Sequence, residues 1–152
     1  MGRYNRDTPM RNLARDLLDR IVGKQVDGGL LFEFVDDLGI AIVITDGDLA
    51  APGPKILFAN SAFTGMTGYS LTEVLGRSPR LLQGSATDRR ATRRFASALR
   101  SGRSATMRVV NYRKSGEPYL CEVIACELPR SWLAGMHKPL FVAFEREVLL
   151  SD

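Results

Sequence analysis

Five short runs of β-branched and apolar residues, two before and three after a glycine-punctuated helical block, constrain this chain more than any other feature of it. The first, IAIVIT, is closed by the turn formers Asp46-Gly47-Asp48, and the second, KILFA, follows Pro52-Gly53-Pro54. Short helical segments interrupted by Gly65, Gly68, Gly76 and Gly84 lead into a longer helix predicted over residues 88–100, with Asp88 at its positive end. RSATMRVVNYRKSGEPYLCEVIACEL then reads as two strands about a turn at residues 114–117, and KPLFVAFEREV as the last strand. The order is two strands, several helices, three strands. At 152 residues that order fits one domain with one core.

Ahead of this block, Thr8-Pro9 reads as an N-cap with proline in the first turn, and Met10, Leu13, Ala14, Leu17, Leu18, Ile21 and Val22 form one helical stripe. The organisation expected is therefore a helix and linker over residues 1–29, a globular domain over 30–148 and a tail over 149–152. With 45% apolar and 25% charged residues, the chain can bury a core. No stretch reaches the roughly 20 apolar residues of a membrane span, and no apolar segment follows the charged MGRYNRDTPMRN opening. A soluble, cytoplasmic protein is expected. Cys121 and Cys126 are five apart, which on a strand puts their side chains on opposite faces. A single histidine, His137, offers no metal cluster and one candidate base, so an enzyme is not expected. Residues 76–114 hold ten Arg and one Lys against the single acid Asp88. Such a run is read first as a solvated helix face, and nucleic acid is not the expected partner.

Three segments carry a family resemblance. FANSAFTGMTGYSLTEVLG resembles the second strand and first helices of a PAS core, GRSPRLLQG resembles the GRNCRFLQG signature of the light-oxygen-voltage (LOV) class, and NYRKSGEPYLCEV resembles the NYRKDGxxFWN hairpin of that class. The resemblance covers roughly residues 39 to 148. It implies an α+β PAS fold, a five-stranded antiparallel sheet with helices on one face, here with the N-terminal amphipathic helix added. It also implies a regulatory or sensory role and a flavin, FMN or another, as the candidate cofactor.

Matched residue by residue, Arg80 falls on the first phosphate-pairing arginine, Gln83 on the glutamine of the signature, and Asn111 on the first flavin-facing asparagine. Pro79 stands where the class has its reactive cysteine, so a cysteinyl-flavin adduct is not expected. Ser78 replaces the preceding asparagine, Ala96 the second phosphate arginine, Cys121 the second flavin-facing asparagine, and Glu145 the glutamine of the last strand. Locally, Ser78 can cap and Pro79 can open a short helix that carries Arg80 and Gln83. An amide donates and accepts, whereas an ionised carboxylate only accepts, so a buried Glu145 must protonate; alternatively the strand register lets it reach solvent beside Glu147. Arg89 and Arg93 are further phosphate candidates that the sequence does not place.

If Asn111, Cys121 and Glu145 face the pocket, alternation sends Val110, Tyr112, Leu120, Ile124, Leu140, Val142 and Phe144 to the other face. A patch of that kind needs a cover. The N-terminal helix is the expected one, either within a homodimer or folded back on its own sheet. The reading is a stand-alone regulatory PAS module acting through protein association with an unidentified partner. The alternative is a flavin-binding blue-light or redox sensor that works without a thiol adduct.

Overall fold

The computed structural model describes residues 39–128 and 138–149, together with Asn12. The N-terminal helix, its linker, His137 and the end of the tail lie outside the described residues. Five strands form one sheet: β1 (Ala41–Asp46), β2 (Ile56–Ala59), β3 (Ala105–Tyr112), β4 (Pro118–Glu127) and β5 (Leu140–Glu147). Their order is β2-β1-β5-β4-β3, every pair antiparallel. Between β2 and β3 come α1 (Ser61–Thr67), α2 (Leu71–Val74), a 3-10 turn (Pro79–Leu82) and α3 (Arg89–Arg100).

The two-faced sheet read from the sequence is present. Val43 pairs with Ala143 and Ala59, Ala143 with Ala125, and Ala125 with Ala105, so these share the face on which the helices pack. Phe63, Val74, Leu82 and Leu99 close on that face. The opposite face carries Ile124, Leu140, Val142 and Phe144, all buried, and Val110, Tyr112 and Leu120, half-buried. Ile42 and Ile44, both fully buried, belong to it as well, opposite Phe144 and Val142. Cys121 lies on the helix side and Cys126 on the other, and both are free thiols.

Asn60 holds the first half of the fold together. Its backbone N–H donates to Ile42 O at 3.1 Å. Its side-chain oxygen accepts from Ile42 N (2.9 Å) and, as the N-cap of α1, from Phe63 N (3.1 Å), and its amide donates to Ile40 O (2.7 Å). One buried amide thus fixes where α1 leaves the sheet. A capping box, Ser70 with Glu73, starts α2, and Asp88 caps α3 through Arg90 N and Ala91 N.

The LLQG segment is pinned to β3 by a second set of contacts. Tyr112 Oη meets Ser85 Oγ at 3.2 Å and accepts from Ala86 N at 3.0 Å, and Thr87 Oγ1 donates to Val110 O at 2.7 Å. Gly84 lies against the Tyr112 ring, with no room for a methyl group. Gly65, within α1, has open space where a Cβ would go. We expect Gly84→Ala to cost roughly 1–3 kcal/mol through overpacking and Gly65→Ala to add roughly 0.5–1 kcal/mol through helix propensity. Urea unfolding of both variants checks the pair; equal midpoints would contradict this packing.

Candidate functional site

The 3-10 turn forms as its sequence predicts. Ser78 Oγ accepts from Arg80 N at 3.2 Å, Pro79 occupies the first turn, and Gln83 ends it with its N–H on Arg80 O at 2.9 Å. The β1–β2 loop comes close here because residue 53 is glycine. Its φ is +109°, and a Cβ would stand 2.6 Å from Ser78 Oγ and 3.1 Å from Arg80 Nε.

Between this turn and α3 lies a pocket of about 310 Å³. Ser78, Pro79, Arg80 and Gln83 form one wall, and Phe95, Leu99 and Met107 give it an apolar floor. Arg89, Arg93, Ala96 and Arg100 all line the α3 wall. Their spacing of four, three and four puts them on one helix face, a signal the sequence contained. Ala96 puts only a methyl group on this wall at the position matched to the second phosphate arginine of the class. Arg89 and Arg93 on one side and Arg100 on the other supply guanidiniums around it, and Arg100 also donates to Leu49 O at 3.2 Å. Among the described residues, no carboxylate lines this pocket.

The other expected site residues form a polar row on the same face of the sheet. Asn111 pairs with Tyr119, Val109 with Cys121, Cys121 with Glu147 and Val123 with Glu145. Asn111, Tyr119, Cys121 and Glu145 are all buried. Phe95 and Met107 pack against the Tyr119-Cys121-Val123 row and also floor the pocket, so they stand between the two groups of residues. Tyr119, absent from the sequence reading, belongs with Cys121 because alternate residues share a face. Arg113 stacks 4.4 Å above its ring while bonding Met66 O and Glu147.

Glu145 does not reach solvent, which corrects the exposed alternative. Its register opposite Ala41 and Val123 points it into the helix-covered side, whereas Glu147 is half-buried and ion-paired with Arg113 at 2.7 Å. Burial pushes the Glu145 carboxyl up to about 7, and burial together with Glu145 also raises the Cys121 thiol. Two buried polar atoms lack any hydrogen-bond partner among the described residues: Glu145 Oε2 and Tyr119 Oη.

Residues 38–144 match the family described as PAS domain. A LOV domain from the blue-light-activated histidine kinase of Erythrobacter litoralis superposes with a TM-score of 0.63 at 30% identity, covering 72% of this chain and 96% of that one. This chain is a PAS domain of the LOV class. Protein TWIN LOV 1 of Arabidopsis thaliana is 40% identical over 87 residues, 57% of this chain but only 21% of that protein. The solved structure of an RNA-binding LOV receptor has a TM-score of 0.67 at 29% identity, covering 79% of this chain and 33% of that one. The five-stranded antiparallel sheet with helices on one face is thus the PAS/LOV fold expected from the motifs. No helix among the described residues is long and apolar enough to cross a membrane, and they contain no cluster fit to hold a metal.

The buried carboxyl of this LOV domain makes its stability depend on pH. The unfolded chain releases the Glu145 proton near the ordinary 4.5, the folded chain only near 7. Between those values the folded state binds more protons, so stability falls as pH rises through the window and the loss is complete above it. Its size is about 3 kcal/mol. Glu145→Gln should be less sensitive to pH from 5 to 8 and more stable than wild type at pH 8, as read by thermal unfolding. Parallel pH profiles for the two proteins would contradict the buried assignment.

Proposed function

We propose that this LOV-class domain is a non-enzymatic sensory module that binds a phosphorylated flavin and signals without a cysteinyl-flavin bond. The observation that carries the reading is the pair of buried, unpartnered oxygens on the helix side of the sheet, Glu145 Oε2 and Tyr119 Oη. Buried oxygens of that kind cost roughly 1–3 kcal/mol each unless something satisfies them, and a flat heterocycle with donors and acceptors at its edge would do so. Flavin, when bound, supplies blue-light absorption and redox chemistry.

The residues present fit that group. Glu145 with its proton offers both an O–H donor and a carbonyl acceptor, as a glutamine amide does. Asn111 and Cys121 lie on the same face. Arg80, Arg89 and Arg93 would hold the phosphate by charge-assisted hydrogen bonds, with Phe95 and Met107 moving to admit the ring. Pro79 has no nucleophile, so the chemistry open to the site is change in hydrogen bonding around Glu145, Asn111 and Gln83, read out through association with a partner or a second copy.

Reconstitution tests this. FMN should bind about 10–100-fold more tightly than riboflavin, and Arg80→Gln with Arg93→Gln should remove most of that difference. Blue light should leave the visible flavin band free of thiol-adduct bleaching in the wild type, while Pro79→Cys should introduce it. Protein that takes up neither FMN nor riboflavin overturns the flavin reading.

The second reading concerns the partner. One similar structure is that of an RNA-binding LOV receptor, and the arginines of α3 make no ion pair among the described residues, so we infer RNA as a partner class for this domain.

A further inference from the structure

Glu145 borders two spaces, and the flavin reading uses only one of them. On one side it shares the helix-covered face of the sheet with Asn111 and Cys121. On the other it lines a cleft of about 430 Å³ between α1 and the paired ends of β1 and β5. Ala62, Gly65 and Met66 form the α1 wall of this cleft, three and four residues apart on one helix face, and Ala41 and Glu147 belong to its sheet wall. Nothing stands within 4 Å of where a Cβ on Gly65 would be, and Gly65 itself is exposed. A carboxyl with one buried, unpartnered oxygen thus sits between the interior and an opening to solvent.

The groups around this carboxyl give it no counter-charge. β1 brings Ala41 and α1 brings Ala62 and Met66, none of which titrates. From β4 come Val123, Cys121 and Tyr119; burial raises both the thiol and the phenol, so both stay neutral. β3 brings Asn111, an uncharged amide. Two residues along β5, Glu147 bonds Arg113 at 2.7 Å, and that guanidinium also holds Met66 O at 2.6 Å and Glu117 at 3.3 Å. Arg146, the other cation beside the cleft, pairs with Glu122 at 3.2 Å. The arginines of α3 line the pocket beyond Phe95 and Met107. Among the described residues nothing therefore pairs an ionised Glu145, and water entering by the cleft is what would solvate it.

We propose that Glu145 holds flavin as the neutral acid and lets it go when that acid ionises, so that flavin occupancy of this domain is coupled to pH. The inference rests on the flavin reading above and adds the regulation of that site. A neutral carboxyl can donate to a ring acceptor or accept from a ring donor, whereas a carboxylate only accepts. A ring laid on the helix side of the sheet would also exclude water from that side and leave an anion still less solvated. In the free protein, burial pushes the carboxyl up to about 7, which sets the switch near neutrality. Above that pH each flavin bound requires the uptake of one proton, which the cleft admits, so rising pH opposes binding by mass action. The glutamine of the class has no proton to lose at this position, and the coupling follows from this chain's own residue.

The test titrates the full 152-residue chain with FMN by isothermal calorimetry from pH 6.5 to 9, with circular dichroism showing folded protein at each pH. The slope is read above pH 7.5, clear of the phosphate's own titration near about 6. From pH 7.5 to 9 wild-type affinity should fall about 20-fold, and at pH 8 binding should take up about 0.9 proton per FMN, read by comparing buffers of different ionisation enthalpy. Glu145→Gln should keep its affinity within threefold over the same range and take up no proton. Gly65→Leu puts an apolar side chain on the cleft wall and displaces water from beside the carboxyl, so the midpoint for FMN loss should move up by at least half a pH unit. Wild-type binding that is flat with pH, or a fall equally steep in Glu145→Gln, overturns the proton switch while the flavin reading stands. An unmoved midpoint in Gly65→Leu overturns the cleft as the source of water. No FMN binding by wild type at pH 6.5 overturns the flavin reading and this inference with it.

Discussion

The side chain of Asn60 is the contact on which the arrangement of this domain depends. It is buried at the junction of β1, β2 and α1, and with its own backbone it forms four hydrogen bonds to residues 40, 42 and 63. Any residue without both a donor and an acceptor would leave buried backbone groups unpaired, which is a larger penalty than the loss of one bond. Because these bonds fix the direction in which α1 leaves β2, they place α1 on one face of the sheet. The 3-10 turn and α3 then pack on that same face through Leu82 and Leu99.

Once one face is committed to the helices, strand alternation decides the chemistry available inside. Asn111, Tyr119, Cys121, Glu145 and Glu147 all point to the helix side, and their fates differ with depth. Glu147 is near enough to the edge to pair with Arg113. Glu145 is one alternate position further in, with Ala41 and Val123 as its cross-strand neighbours. Neither neighbour offers a hydrogen bond or a charge, so the carboxyl takes up a proton rather than a partner. Below about pH 7, Glu145 is thereby a neutral group that can both donate and accept.

α3 carries three separate surfaces on one helix. Its apolar side, Phe95 and Leu99, joins the core. Arg89, Arg93 and Arg100 share a pocket with the 3-10 turn, while Arg94 turns to β3. Like charges at this density destabilise a free helix by roughly 0.2–0.5 kcal/mol for each pair four residues apart. The fold tolerates that cost because tertiary packing and the Asp88 cap hold the helix in place.

Periodicity alone determined much of this protein. The five strands, the turn at 114–117, the helix behind Asp88, the Ser78-Pro79 opening of the 3-10 turn and the opposite faces of Cys121 and Cys126 all follow from local rules of cap, turn and alternation, and the structure has each of them. The motifs also singled out Arg80, Gln83 and Asn111 as candidates, and the place in the last strand singled out Glu145, because family position travels with the chain. Three things needed the tertiary structure. Whether Glu145 faced solvent or interior depended on how far β5 runs beneath the helices, which is a matter of sheet order and register between strands distant in sequence. Whether Arg89, Arg93 and Arg100 met the 3-10 turn depended on the rotation of α3 against it, although their shared helix face was legible. The close approach at Gly53, with Ser78 and Arg80 25 and 27 residues away, left no mark beyond the glycine itself. Sequence spacing fixes which side chains share a face; only the packing of one element on another fixes what that face meets.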